Sequence, residues 1–146
     1  MKRKTIDFEY LEHTADIYVA AYGQNLAEAY ENAAVAMFES MTDTADIKPR
    51  LEKRIEARGH DKQSLLYDWL EKLLILFEVE NMLCSKFNVE KIETANKGLR
   101  LIARILGEQF DPERHKQKVG IKAVTYHRME IEEDKESVTV RFILDI

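Results

Sequence analysis

The residues most able to do chemistry lie at the end of the sequence, Phe142-Ile143-Leu144-Asp145-Ile146. An apolar run stops at an acidic residue, and the α-carboxylate of Ile146 follows. Terminal residues usually trail off as polar, poorly ordered chain. Here the pattern predicts a strand from Val138 to Leu144 that carries both anions to its end. Two fixed anions repel each other and call for a cation, a basic partner or a shared proton. A third carboxylate, Asp16, stands in His13-Thr14-Ala15-Asp16-Ile17, a polar break before another strand-like run. Taken singly, Asp16 reads as a turn residue bonding nearby amides. The metal reading needs Asp16 to meet Asp145 and Ile146. Three such oxygen donors suit a hard cation such as Ca²⁺ or Mg²⁺.

A second group lies in Ile121-Lys122-Ala123-Val124-Thr125-Tyr126-His127. Lys122 within a strand normally faces solvent. In so acidic a chain it could also sit beside the carboxylates or meet a partner's phosphate. His127 could bond Tyr126 or a nearby acid. As a catalytic base it lacks a nucleophile, because no Ser or Cys occupies a recognisable elbow. There is no Gly-rich phosphate loop. The four histidines are dispersed, and the single cysteine, Cys84, rules out an internal disulfide and a Cys-based zinc site. Cys84 reads as a small buried apolar residue. The acidic run Glu132–Glu136 reads as a solvated hairpin turn. These features argue against an independent enzyme.

The chain has 146 residues, 45% of them hydrophobic, which favours one domain with a core that needs no staples. A net charge of −5 argues against nucleic-acid binding by bulk electrostatics. No stretch reads as a signal peptide or membrane span, so a reducing, cytoplasmic setting is expected.

Two helices must position these groups. Asn25 caps the first, which runs to about Ser40 with Leu26, Tyr30, Ala33 and Met37 on one stripe. Asp61 caps the second, with Ser64 as a competing start; Leu65, Leu66, Trp69, Leu70, Leu73, Leu74 and Phe77 form its apolar face. Trp69 is expected in the core. Strand alternation appears around Phe8–Glu12, Ile17–Ala21, Leu51–Ala57, Phe87–Val89, Leu99–Ile105, Val119–Tyr126, Met129–Glu132 and Val138–Leu144. Asn96-Lys97-Gly98 predicts a hairpin turn, and Asp111-Pro112 a turn or short helix. The expected fold class is α+β, a largely antiparallel sheet with two main helices packed on it.

These segments together resemble the archease family. The resemblance is carried by Phe8-Glu9-Tyr10-Leu11-Glu12-His13-Thr14-Ala15-Asp16-Ile17, by Asn25-Leu26-Ala27-Glu28-Ala29 with Asn32-Ala33-Ala34, and by Leu65-Leu66-Tyr67-Asp68-Trp69-Leu70. It continues in Gly107-Glu108, Asp111-Pro112-Glu113-Arg114-His115, Ile121 to His127 and the closing Asp145. Segment 78–98 is less distinctive. The resemblance implies a strand-helix-strand-strand module with a second module inserted. It implies a non-enzymatic activator of an RtcB-type RNA ligase in tRNA splicing. Such an activator promotes ligase guanylylation and multiple turnover, broadens nucleotide use, and meets tRNA only through the ligase. It also implies a divalent cation, calcium in the family, held by Asp16, Asp145 and the Ile146 carboxylate. Lys122 and His127 become partner-contact candidates. Two other readings stand beside it: a chaperone or adaptor for RNA-modifying enzymes, and a metal-dependent hydrolase using Asp16 and Asp145.

Overall fold

The computed structural model describes residues 6–12 and 15–146; His13 and Thr14 of the motif before Asp16 lie outside the described residues. The elements are β1 (Phe8–Leu11), β2 (Ile17–Gly23), α1 (Leu26–Met41), β3 (Leu51–Gly59), α2 (Lys62–Glu80), β4 (Met82–Ala95), β5 (Gly98–Gln109), β6 (Ala123–Glu133) and β7 (Val138–Asp145). Every strand pairing is antiparallel, and the fold is α+β as the pattern predicts. The strands divide into two sheets, ordered β1-β2-β7-β6 and β3-β5-β4. The chain lays down β1, β2 and α1, builds the three-stranded sheet and α2, then returns with β6 and β7 to complete the first sheet. The β3–β5 unit is therefore inserted into the module that carries Asp16 and Asp145.

The division into two sheets follows from what the helices must bury. Tyr30, Ala33, Ala34, Ala36, Met37 and Phe38 of α1 are all buried. Together they exceed the single stripe that one sheet can cover. Accordingly α1 packs on β2 and also on β4, while α2 packs on β3 and also on β6. At the centre Trp69 is fully buried and its indole N–H donates to the Tyr30 carbonyl at 2.9 Å. Its ring meets the edge of Phe87, which stacks on Phe38. Cys84 is buried as expected.

Both helices begin in the same local way. Asn25 Oδ1 accepts from the Glu28 N–H at 2.9 Å. Asp61 Oδ1 accepts from the Ser64 N–H at 2.8 Å, and Ser64 Oγ accepts from the Asp61 N–H at 3.1 Å. Ser64 is thus the third residue of a capping box rather than a rival start. Two residues before each cap stands a glycine, Gly23 or Gly59. A Cβ there would lie 2.4 Å from the Ala29 nitrogen or 2.3 Å from the Leu65 nitrogen, so the strand end and helix start approach too closely for a side chain. This repeated geometry marks the two modules as alike where the sequence shows no clear repeat.

Three strand boundaries differ from the alternation pattern. Strand β4 begins at Met82 because Asn81, at φ 56°, closes α2 in the left-handed conformation and turns directly into the strand. Register shifts between Cys84 and Lys86 and between Val89 and Lys91 then break its period of two. The two segments expected at Val119–Tyr126 and Met129–Glu132 form one strand, β6, with a bulge between Thr125 and Glu130 that places Arg128 at φ 56°. Residues before Ala123 are irregular; the Lys118 N–H donates to the Met41 carbonyl at 2.9 Å instead. The hairpin between β4 and β5 is the expected tight turn, with Asn96 and Lys97 both at positive φ.

Candidate functional site

Strand β7 lies between β2 and β6, and Asp145 and Ile146 lie at its end. Ile17 pairs with Leu144 as the last rung of that ladder, and Asp16 and Asp145 are the next residues outward on the two sides. Adjacent strands lie about 4.7–4.9 Å apart, close enough for facing carboxylates to share one ion. On the other side Ala123 pairs with Asp145, and the Lys122 N–H donates to the Asp145 carbonyl at 2.7 Å. Asp16, Asp145 and Ile146 are half-buried, and the Lys122 side chain is exposed. His127 lies apart from them, exposed on the β6 bulge between the pairs Thr125–Ile143 and Glu130–Arg141. Its neighbour Tyr126 stacks on Tyr67 of α2 at 4.4 Å rather than pairing with it.

The donors at this end are all oxygens, the chemistry of a Ca²⁺ or Mg²⁺ site. Among the described residues no group of three His, Cys, Asp or Glu side chains is placed to hold a metal. A site here would use two aspartates and complete its set with the main-chain carboxylate of Ile146. Repulsion between Asp16 and Asp145 would favour a cation between them.

Asp16 also lines a cleft of about 390 Å³ with Tyr10, Leu11, Tyr18, Glu39 and Lys118. No local sequence pattern marks this wall. The Lys118 ammonium donates to Glu39 Oε2 at 2.9 Å and to the Glu39 carbonyl at 3.0 Å, and it pairs with Asp43 at 2.7 Å. Its bonds to Asp43 and Glu39 raise its pKa. Burial would raise the Glu39 carboxyl, but bonds from Thr44 and Lys118 outweigh it and hold it below the ordinary carboxylate range. Tyr10 donates to the Ala36 carbonyl at 2.9 Å. Its phenol is pushed up to about 12 by burial and by Glu39, against the opposing pull of Lys118.

A second buried network fixes the segment that leads to Lys122. Glu108 and His115 are 4% and 1% exposed, and His115 Nε2 lies 2.9 Å from Glu108 Oε2. The Asp111 N–H donates to His115 Nδ1, so Nε2 carries the proton and donates to Glu108. Arg114 closes the same carboxylate at 2.7 Å. The Gly107-Glu108 and Asp111–His115 motifs are thus joined physically.

The fold and this acidic strand end define a small α+β protein of two antiparallel sheets packed about two helices. Comparison with known proteins then makes the assignment specific. Residues 8–146 match the model of the Archease protein family (MTH1598/TM1083), and the chain belongs to that family. Protein archease of Sulfurisphaera tokodaii is 47% identical over 139 residues, covering 95% of this chain and 98% of the relative. Protein archease of Methanothermobacter thermautotrophicus is 45% identical over the same shares. The solution structure of Methanobacterium thermoautotrophicum protein 1598 superposes with a TM-score of 0.84 at 43% identity, covering 96% of this chain and 99% of the other. The crystal structure of a Thermotoga maritima archease, described as a possible chaperone, has the same fold with a TM-score of 0.60 at 20% identity, covering 100% of this chain and 98% of that one. Among the described residues no helix is long and apolar enough to cross a membrane.

Proposed function

We propose that this chain is a non-enzymatic, cytoplasmic activator of an RtcB-type RNA ligase in tRNA splicing. It promotes ligase guanylylation and multiple turnover, and broadens the nucleotides the ligase accepts. Family membership supports the reading, and one observation carries it to particular residues: the Ile17–Leu144 register, with Asp16 and Asp145 each one residue beyond that pair. In this proposal Asp16, Asp145 and the Ile146 carboxylate hold a divalent cation, most simply calcium. The cation would supply positive charge near a phosphoryl-transfer site, where charge placement governs the barrier. The chain's own residues present that end to the ligase. Lys122, exposed beside Asp145, offers a cation to a phosphate or an acidic ligase surface. His127 is a contact only if the ligase also reaches the β6 bulge.

The test is multiple-turnover ligation by an RtcB-type ligase with this protein, using Asp16→Ala and Asp145→Ala beside the parent. Both residues are half-buried at a strand end, so both variants should fold with little change in melting temperature. Each should lose most of the activation, and Lys122→Ala should lose part of it. Full activation by both aspartate variants would show that the acidic end is not the working surface. RNA binding by the free protein at physiological salt would favour the adaptor reading instead.

A further inference from the structure

We infer that the chain forms a twofold-symmetric dimer through the open edge of β3, the second copy lying antiparallel and centred on Ile55. The inference does not rest on the ligase reading, since no residue of β3 belongs to the Asp16–Asp145 end.

Among the described residues β1, β6, β3 and β4 stand at sheet edges. An open edge offers unpaired amides and carbonyls to another chain, and folded proteins blunt it by shortness or bulges. Strand β1 has four residues. Strand β6 is bulged between Thr125 and Glu130. Strand β4 is bulged twice, and its Val89 N–H donates to Glu31 Oε2 at 2.7 Å. Strand β3 has neither device: it runs nine residues, Leu51–Gly59, with an unbroken register on β5. The Arg58 N–H donates to Asp68 Oδ2 at 2.8 Å, so this amide turns away from β5. Amides alternate in direction along a strand, so Glu52, Arg54 and Glu56 also aim theirs at the open edge.

Charge names the occupant. Charged edge residues can keep other chains away, but here they are self-complementary. On the side away from the helices the row reads Glu52, Arg54, Glu56, Arg58, all exposed. Turned antiparallel about Ile55, Glu52 meets Arg58 of the second copy and Arg54 meets Glu56 of the second copy, each twice by symmetry. Opposite charges facing across strands stabilise the pairing, and like charges destabilise it. A centre at Arg54 would set Arg54 against itself and Glu52 against Glu56. A centre at Lys53 would set two lysines face to face. About Ile55, the apolar Ile55 meets itself, and Lys53, held by Glu80 of α2, meets the small Ala57. Within the chain Arg54 lies 4.0 Å from Glu90 and Glu52 lies 3.8 Å from Arg104, the far limit of ion pairing, so both can reach across.

A second copy also accounts for the outer flank of α2. Asp68, Lys72, Ile75 and Val79 recur at helical spacing on one face, and the Asp68 bond to Arg58 sets that face at the β3 edge. Ile75 and Val79 there are 46% and 74% exposed. The symmetric copy brings its own α2 alongside, where the same two residues cover each other.

The experiment is sedimentation equilibrium of the full chain from about 10 µM to about 1 mM, with a thermal melt of each variant. The parent should dimerise with a Kd on the order of 0.1 mM or tighter. Arg54→Glu sets like charges opposite Glu56 twice and should weaken the dimer about tenfold or more. Combining Arg54→Glu with Glu56→Arg restores opposite charges in the register centred on Ile55 but not in the one centred on Lys53, and should restore the dimer. A parent that stays monomeric at about 1 mM would overturn the inference. So would a dimer that Arg54→Glu leaves unchanged, or a folded double variant as weak as the single one. Ile55→Cys checks the centre without a change of charge, because the native Cys84 is fully buried. Facing residues of a non-hydrogen-bonded pair have Cα atoms about 4.5 Å apart, within disulfide reach. Mild oxidation should therefore link two chains, and a chain that stays single would overturn the register.

Discussion

Glu108→Gln asks how much one buried carboxylate contributes to holding the segment between β5 and β6. Glu108 Oε2 accepts the Lys48 N–H at 2.8 Å and the His115 Nε2 proton at 2.9 Å, and Oε1 meets Arg114 Nη2 at 2.7 Å. Burial alone would raise this carboxyl. The bonds from Arg114, the Lys48 amide and His115 outweigh it and hold the pKa at about 2. Glutamine keeps the shape and one acceptor. It loses the charge-assisted bond to Arg114, worth roughly 1.5–3 kcal/mol, and turns an NH₂ group toward a donor. The expected loss at pH 7 is about 2–4 kcal/mol, because the partners stay buried without their anion. For a chain of this length that lowers the melting temperature by roughly 6–12 °C. Linkage gives the sign of the pH dependence. A native pKa below the ordinary 4.5 stabilises fully above that value, and the stabilisation is lost as pH falls from 4.5 toward 2. Urea unfolding of parent and variant at neutral pH and near pH 2.5 should show a gap that narrows in acid. A gap under about 0.5 kcal/mol at pH 7, or one that does not change with pH, would refute the account.

Two further tests address the core and the acidic end. Trp69→Ala should cost about 3–5 kcal/mol in urea unfolding, because a fully buried ring and its bond to the Tyr30 carbonyl are both lost; a loss under about 1 kcal/mol would mean the neighbours collapse into the space. Adding a few residues after Ile146 converts its carboxylate to an amide. Calcium affinity measured by calorimetry should then fall by about tenfold or more, the worth of one lost anionic ligand. Unchanged affinity would remove Ile146 from the proposed ligand set.

The helices were legible in the sequence because their signals are local. A cap and its amide sit three residues apart, as Asn25 with Glu28 and Asp61 with Ser64 do, and an apolar stripe repeats within one element. The sheets were legible only as strands. Alternation says that a strand has one wet face but not which strand it pairs with, so the division into two sheets stayed hidden. The bulges in β4 and β6 shift the phase in mid-strand, which is why alternation does not mark Met82–Lys86 and splits β6 into two pieces. Long-range polar partners were invisible for a similar reason. Lys48 lies 60 residues from Glu108, and Lys118 lies 79 from Glu39, and nothing in either local pattern marks the other.

The acidic end shows how the two kinds of information combine. Asp16 and Asp145 could each be nominated from the sequence, since each interrupts or closes an apolar run. Their juxtaposition depends on register, and register is fixed by the apolar residues between them. Val19, Ala21, Val140, Phe142 and Leu144 are all fully buried on the helix-facing side of β2 and β7. A slip of one residue would turn that whole set toward water, which the core does not permit. With the ladder locked at Ile17–Leu144, Asp16 and Asp145 are the next residue outward on each side. Because β7 is flanked on both sides, the Asp145 backbone is also tied to Lys122 through β6. In the proposed site, two like charges would be brought near each other by core packing that neither takes part in. Such an arrangement would cost stability unless something positive lay between them. The same packing explains why removing either aspartate should leave the fold intact: the β2–β7 register is set without them.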